Sequence, residues 1–504
     1  MNSSTSSTTK KPPYVMIAVM FVGAFVAFLN NTLLNVALPT IMVDFKIEDY
    51  SVVQWLITGY MLVTGILIPT TAFLITRFKT RNLFLIAMLI FIAGTAMAAF
   101  APTFGILLAG RMVQAAGAAA MSPLLMNTML VSFPIEKRGA AMGIFGLVMI
   151  SAPAIGPTLS GWIVENYHWS VLFEMILPIA IIAFLLAFWK LENVLPNRAA
   201  TIDVLSIIFS TIGFGALLYG FSSASTAGWD DITVYGTIIV GALGIILFIV
   251  RQFKLEEPLL DLSVYKHPMF ALGSVISAVL SVAMFSGMIL TPAYVQNVRG
   301  ITPFDAGLMM LPGAIVMGIM SPITGKLFDK FGPRILAIVG LAITTGATYF
   351  LTQLEVDSSY AYIISVYTVR MFGISMVMMP IMTNGLNALP PRLNPHGTAI
   401  NNTISQVAGS IGSAVLITIF NAHTKTRATE IGAELQAKYA NSGVAPTAEQ
   451  VAQMKQQVMQ TALLDGINYS FMVATGVTVV ALVLAFFLKR AKQPQMVVTP
   501  PEKK

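Results

Sequence analysis

The sequence contains no cysteine. That excludes a disulfide framework, a thiolate nucleophile and any Cys-ligated metal centre. Charge is also scarce: Asp, Glu, Lys and Arg make up 10% of the 504 residues, against roughly 25% in a soluble domain. Histidine is scarcer still. His168, His267, His396 and His423 are the only ones, and each falls in a loop or at the end of an apolar run. A histidine-built metal or catalytic site within the apolar runs is therefore not expected. The pattern G-x-x-x-x-G-K-[ST] is missing too. The nearest stretch, ITGKLFDK at 323–330, lacks the first glycine and the Ser/Thr, which argues against ATP as the energy source. The expectation is no cofactor and no metal, with an ion gradient supplying the energy.

What the chain has in abundance is apolar surface. Hydrophobic residues make up 56% of it, and the mean hydropathy is +0.79. Such a chain is a polytopic membrane protein whose permanent partner is the lipid bilayer. A polar tail, residues 1–14, ends in Lys10-Lys11, and an apolar run then continues to about Val43 without a small-residue cleavage pattern. It reads as a first span, not a signal peptide. Runs of about 18–25 apolar residues predict fourteen spans. On the side of the termini the loops and tails carry 21 Lys and Arg, against 6 on the other side. Both termini are therefore expected in the cytoplasm, and the formal charge of +7 reflects topology, with no nucleic-acid partner implied.

Two stretches resemble each other. AFLITRFKTR at 72–81 and GKLFDKFGPR at 325–334 each follow a span, are basic and lead into the next span. Arg111 follows the first and Arg370 the second, at similar offsets. Spans 1–6 and 9–14 thus read as two related six-span halves, a construction many secondary transporters share. The expected organisation is a tail at 1–14, a six-helix bundle at 15–198, two inserted helices with linkers at 199–268, a second bundle at 269–490 and a tail at 491–504. Within the second bundle, 421–465 is polar and is expected to be an external, partly helical loop.

Gly146–Gly161, GLVMISAPAIGPTLSG, stands out. At helical spacing Ala152, Gly156 and Ser160 share one ridge, and Pro153, Pro157 and Gly161 share the next. Small residues permit close helix approach, while each proline removes a backbone hydrogen bond. The pattern fits a helix that packs tightly and bends; a static, tightly packed helix fits it as well.

Few polar groups fall within spans. Arg111 and Arg370 are the basic ones, and an intramembrane charge is a functional candidate by default. Arg111 and Gln114 share a helix face. Glu174 lies about five residues into span 6 and is the best carboxylate candidate for carrying a proton; the alternative is snorkelling to the interface. Asp203 and Asp305 open their spans and read as interfacial caps. Asn30, Asn31 and Asn35 place three amides in span 1, which fits a hydrated substrate cavity or inter-helix hydrogen bonding. The 30 methionines include clusters in spans 4 and 12 that suit varied apolar ligands.

These motifs together resemble the fourteen-span drug:proton antiporters of the major facilitator superfamily, close to the lincomycin-resistance and multidrug exporters. APAIGPTLSG in span 5 resembles the antiporter motif, with Pro153, Gly156, Pro157 and Gly161 at its hinge. Arg111-Met-Val-Gln114-Ala-Ala-Gly117 resembles the span 4 motif, whose arginine is implicated in proton coupling. LNNTLLNVALP, residues 29–39, resembles the span 1 signature of the fourteen-span group. The resemblance implies an all-α membrane protein with the major facilitator fold, two six-helix bundles plus two inserted helices. It implies a monomeric bacterial cell-membrane exporter that expels hydrophobic or amphipathic small molecules by proton antiport and alternating access. A dedicated exporter of one metabolite, lipid or signalling molecule would use the same fold. An enzyme is not expected, because paired intramembrane acids or histidines are missing.

The chain departs from that pattern in two places. The first gating loop has Ala72, Thr76 and Lys79 where the pattern has Gly, Asp and Gly, leaving Arg77 and Arg81 as its charged residues. The second copy keeps Gly325, Asp329 and Gly332, with Arg334 after them. Span 1 carries Asn30 where relatives have an acid, so coupling is expected to rest on Arg111, Gln114 and Glu174. Asn30, Asn31, Asn35 and Arg370 are the expected substrate-cavity residues.

Overall fold

The computed structural model describes residues 13–47, 50–195, 203–442 and 447–491. Among them the chain forms fourteen long α-helices and no strand. The first six are α1 (Tyr14–Asp44), α2 (Tyr50–Arg77), α3 (Thr80–Ala99), α4 (Phe104–Ser132), α5 (Ile135–Asn166) and α6 (Val171–Lys190). Then come α7 (Val204–Ala227) and α8 (Ile232–Lys254). The last six are α9 (Pro268–Ala293), α10 (Pro303–Phe331), α11 (Pro333–Phe350), α12 (Tyr360–Asn387), α13 (Asn394–Ser442) and α14 (Ala448–Ala485). Thirteen of them are long and apolar enough to cross a membrane. The remaining one is α5, where the side chains of residues 150, 153, 154 and 157 lie outside the described residues. The chain is thus a multi-pass membrane protein. The face where α1 begins is called proximal below, and the opposite face distal.

Helix starts follow local chemistry. Thr103, Asp203, Asp231, Thr302 and Ser359 each accept a backbone N–H of the first turn that follows, as N-caps do. Asp203 and Asp305 sit at helix starts as expected, Asp305 accepting from the Thr302 hydroxyl at 2.8 Å. The two gating loops differ for a geometric reason. Gly332 alone joins α10 to α11, with φ at +78°, a conformation glycine adopts without strain. The first loop spends two residues, and Lys79 is extended with φ at −60°, so no glycine is needed there.

Packing relies on small residues. A Cβ on Gly94 or Gly117 would strike backbone across the α3–α4 contact, and one on Gly340 or Gly373 would do so between α11 and α12. The third and fourth helices of each six-helix set therefore meet backbone to backbone. Large apolar side chains such as Ile182, Leu185 and Trp189 on α6, or Leu243 and Ile246 on α8, remain exposed, where lipid tails would cover them.

The inserted pair α7–α8 touches both sets. Tyr219 stacks on Trp55 of α2 at 5.6 Å, and Trp229 donates Nε1–H to Thr418 of α13 at 2.5 Å. At the proximal end Arg251 holds the Asp203 carboxylate through two bonds of 2.6 Å. The polar stretch 421–465 is helical to Ser442 and again from Ala448, more so than its composition led us to expect. Alanine, Glu, Gln and Lys there are strong helix formers, and Thr447 with Gln450 makes a capping box. Arg427 of α13 joins the two arms by bonding Asp465 of α14 at 2.9 Å, and it also bonds Glu430 one turn along its own helix at 2.7 Å.

Candidate functional site

The two intramembrane arginines are fully buried, each at 0% exposure. Arg111 projects from α4 toward α1 and α2. Its Nη1 donates to Gln114 Oε1 at 2.7 Å and to the Asn30 carbonyl at 3.5 Å, and its Nε donates to the Leu56 carbonyl at 3.4 Å. The guanidinium carbon lies 4.3 Å from the Tyr60 ring centroid, a cation–π placement. Gln114 passes the network on, donating to Thr95 of α3 at 2.8 Å. The structure thus joins Arg111 and Gln114, as their shared face predicts, and ties them to α1, α2 and α3.

Arg370 repeats this design in the second set. Its Nε donates to Thr348 of α11 at 3.1 Å and its Nη2 to Ser286 of α9 at 3.1 Å and to the Ala283 carbonyl. A Cβ on Gly287 would fall on the guanidinium, so the glycine makes room for the charge. Arg370 is sealed between α9, α11 and α12, and in this conformation it does not open to a substrate cavity. Asn30, at 1% exposure, is likewise enclosed, while Asn31 is half-buried. The side chains of Asn35, Pro153 and Pro157 lie outside the described residues.

Glu174 does not join this network. It is exposed on the first turn of α6, at the distal end, and accepts from Ser170 at 2.8 Å. Ser170 Oγ lies 3.0 Å from His168 Nδ1, and His168 Nε2 is 3.3 Å from Asp44. The buried Trp169 also donates to Asp44, at 2.8 Å. Span counting placed Glu174 within the hydrophobic run but gave no view of its direction.

The seam between the two sets runs along α5 and α10. Asp329, at the proximal end of α10, accepts from the backbone N–H groups of Gly139 and Ala140 at 3.0 Å each. Arg138 of α5 donates to Asn387 of α12 at 3.1 Å. Burial lowers the pKa of Arg138, and the nearby Glu136 partly opposes this. One turn further, Ser321 of α10 donates to the Gly143 carbonyl at 2.8 Å. A Cβ on Gly139, Gly143 or Gly325 would strike backbone of the partner helix. The proximal face is therefore closed by direct contact between the sets.

Other motif residues fall beside this seam. Gly156 of α5 faces Thr32 of α1, and Gly161 faces Phe304 at the distal start of α10. The ridge of Ala152 and Ser160 is buried, and α5 runs unbroken from Ile135 to Asn166. Of the charged loop residues, Arg81 turns back to its own set. It donates to the Phe188 carbonyl of α6 at 2.6 Å, and its guanidinium lies 5.2 Å from the Phe188 ring centroid. Thr76 bonds the Ala72 carbonyl of its own helix at 2.8 Å. Arg77 and Arg334 are exposed. The first loop thus builds no counterpart of the Asp329 contact. Sequence reasoning missed Arg138 and Asn387. Their signal was only an arginine before a glycine at a helix start and an asparagine at a helix end.

Comparison with known proteins adds four matches. The sequence profile of the Major Facilitator Superfamily matches residues 20–413. The lincomycin resistance protein LmrB of Listeria monocytogenes is 44% identical over 492 residues, covering 98% of this chain and 100% of that protein. An uncharacterized MFS-type transporter of Bacillus subtilis, YhcA, is 44% identical over 504 residues, covering 96% and 94% of the two chains. Among solved structures, the human organic anion transporter MFSD10 superposes with a TM-score of 0.64 at 14% identity, covering 94% of this chain and 100% of that one. At that identity the likeness concerns the fold alone.

Proposed function

Since the chain belongs to the major facilitator superfamily and is a transport protein, not an enzyme, we propose that it exports amphipathic drugs from a bacterial cell by proton antiport. The proximal face is the cytoplasmic one on this reading, with both termini in the cytoplasm and the protein in the cell membrane. The observation that carries the reading is the seam between the two helix sets. Its proximal hydrogen bonds are few and local, set on a close glycine-mediated approach of α5 and α10: one carboxylate on two amides, one arginine–asparagine bond and one serine–carbonyl bond. Contacts of that kind break and re-form within a transport cycle, since each hydrogen bond contributes only ~1 kcal/mol net, or ~1.5–3 when charged. This conformation is the outward-directed end of an alternating-access cycle. The α5 helix, packed on α1 through Gly156 and on α10 at both ends, is the element about which the sets rock.

Coupling centres on Arg111 and Gln114 in this proposal. Arg111 gathers α1, α2 and α4, and with Gln114 reaches α3, so a change in its surroundings reaches most helices of the first set. The resemblance to a lincomycin resistance protein supports lincosamides as a first substrate to test. The test is lincomycin uptake into everted vesicles. Uptake is expected to rise with an inward-acid gradient, to collapse with a protonophore and to fail in Arg111→Ala. Uptake that ignores every imposed gradient overturns the proposal.

A further inference from the structure

The chain has 22 acidic residues, and their placement is one-sided. Asp44, Glu136, Glu165, Asp203, Asp305, Asp329 and Glu355 mark helix ends or loops, Asp465 lies in the distal hairpin part of α14, where it pairs with Arg427, and the others outside Glu174 lie in loops, tails or that hairpin. Glu174 alone falls inside a predicted span, and it is exposed. Among the described residues no carboxylate is buried, and the buried charged side chains are Arg111, Arg138 and Arg370. The side chains outside the description within α1 and α5 are asparagine, valine, isoleucine, alanine and proline, so none of them adds an acid.

The two central guanidiniums therefore sit in the membrane interior without a counter-ion. Their hydrogen bonds go to carbonyls, hydroxyls and one amide, and each leaves a nitrogen over: Nη2 of Arg111 and Nη1 of Arg370 are buried and unpartnered. Asn30 Nδ2, on the residue whose carbonyl Arg111 holds, is also buried and unpartnered. These are all donors. Arginine keeps its charge even when buried, and a low-dielectric surround lengthens the reach of that charge. A cation ~10 Å from one guanidinium at an effective dielectric of ~20 is disfavoured by more than about tenfold, and an anion is favoured to the same degree.

We propose that the transport pathway selects amphipathic anions, an apolar body bearing a carboxylate or sulfonate, and rejects permanent cations. This rests on the exporter reading above and specifies its substrate class. The anionic group meets the unpartnered donors of Arg111 and Asn30 when α1 moves away from α4 within the first set, releasing the 3.5 Å bond from Arg111 to the Asn30 carbonyl, because a guanidinium offers a two-pronged match to a carboxylate. The apolar body lies against the methionines of α4 and α12, which adapt to varied shapes.

The test uses two dyes on the same xanthene body, fluorescein as the anion and rhodamine 6G as the permanent cation, with lincomycin as a third arm. The purified full chain in proteoliposomes is given an identical pH gradient for each. The expected result is saturable fluorescein transport with kcat/KM at least tenfold above that of rhodamine 6G. Asn30→Asp, which sets a carboxylate beside Arg111, is expected to narrow or invert that ratio; a thermal melt of this variant confirms that it folds. Equal or better rhodamine 6G transport by the unaltered chain overturns the proposal, whatever Asn30→Asp does. Lincomycin transport without fluorescein transport also overturns it, while leaving the exporter reading in place. If none of the three moves, the exporter reading falls and this inference with it.

Discussion

Replacing Asp329 by Asn tests the closing of the proximal face. In the native chain both carboxylate oxygens accept backbone N–H groups of α5, each at 3.0 Å. An asparagine keeps one acceptor oxygen and turns an amide toward the other N–H. One charge-assisted bond is lost and the other becomes neutral. Together these amount to ~2 kcal/mol for a half-buried group. A shift of that size lowers the ratio of proximally closed to open protein about thirtyfold. The native chain has no cysteine, so labels report cleanly. Lys137 and Lys330 are exposed on either side of the contact, and spin labels at Lys137→Cys and Lys330→Cys read the gap by pulsed electron resonance. The expected result is a single short distance in the native background and a population at longer distance with Asp329→Asn. Unchanged distances, with unchanged transport, would refute the view that this contact holds the face shut.

Other outcomes follow from the same geometry. Gly143→Ala and Gly325→Ala place a methyl group against partner backbone; accessibility labelling is expected to find the proximal face open and transport lost, with the fold intact. Gly287→Ala puts a methyl group on the Arg370 guanidinium and is expected to cost ~1–3 kcal/mol, seen as a lower melting temperature in detergent. Glu174→Gln, at an exposed position, is expected to retain most gradient-driven transport; complete loss would make Glu174 the coupling carboxylate. The Asp203–Arg251 pair gives a pH signature. The hydrogen bonds from Arg251 hold the Asp203 pKa down at about 2, so its stabilisation is complete above the unfolded value near 4 and is lost as pH falls toward about 2. At partial exposure this amounts to ~1 kcal/mol, and melts between pH 5 and 2 should narrow the difference between the native chain and Asp203→Asn.

Much of the fold is written locally in the chain, and much of the site is not. Apolar run length and Lys/Arg placement locate the spans because each is a property of one segment facing lipid. The repeat of the gating loops is visible because Gly325, Asp329 and Gly332 fall within eight consecutive residues, the last two turns of α10 and its C-cap. Arg111 and Gln114, three apart on one helix, are paired for the same reason. Where residues depend on another helix, the sequence is silent. The direction of Glu174 is set by how α6 turns against α1 and α3. The enclosure of Arg370 depends on Gly287, 83 residues earlier in α9, whose missing side chain looks in sequence like any membrane glycine. The polar stretch 421–465 presents the reverse case: low hydropathy reads as loop, yet its helix-forming residues and its Arg427 pairings extend α13 and α14 beyond the span.

If outward movement of substrate is driven by inward movement of protons through a cycle that opens and closes the α5–α10 seam, the two fluxes are linked in a fixed ratio. The most direct measurement is substrate-dependent proton flux, recorded with a pH dye inside proteoliposomes holding the purified chain, as a substrate gradient is imposed without any initial pH difference. Proton movement opposite to the substrate, in fixed proportion to it and absent in Arg111→Ala, is the expected result. Substrate movement with no accompanying change in pH would contradict it.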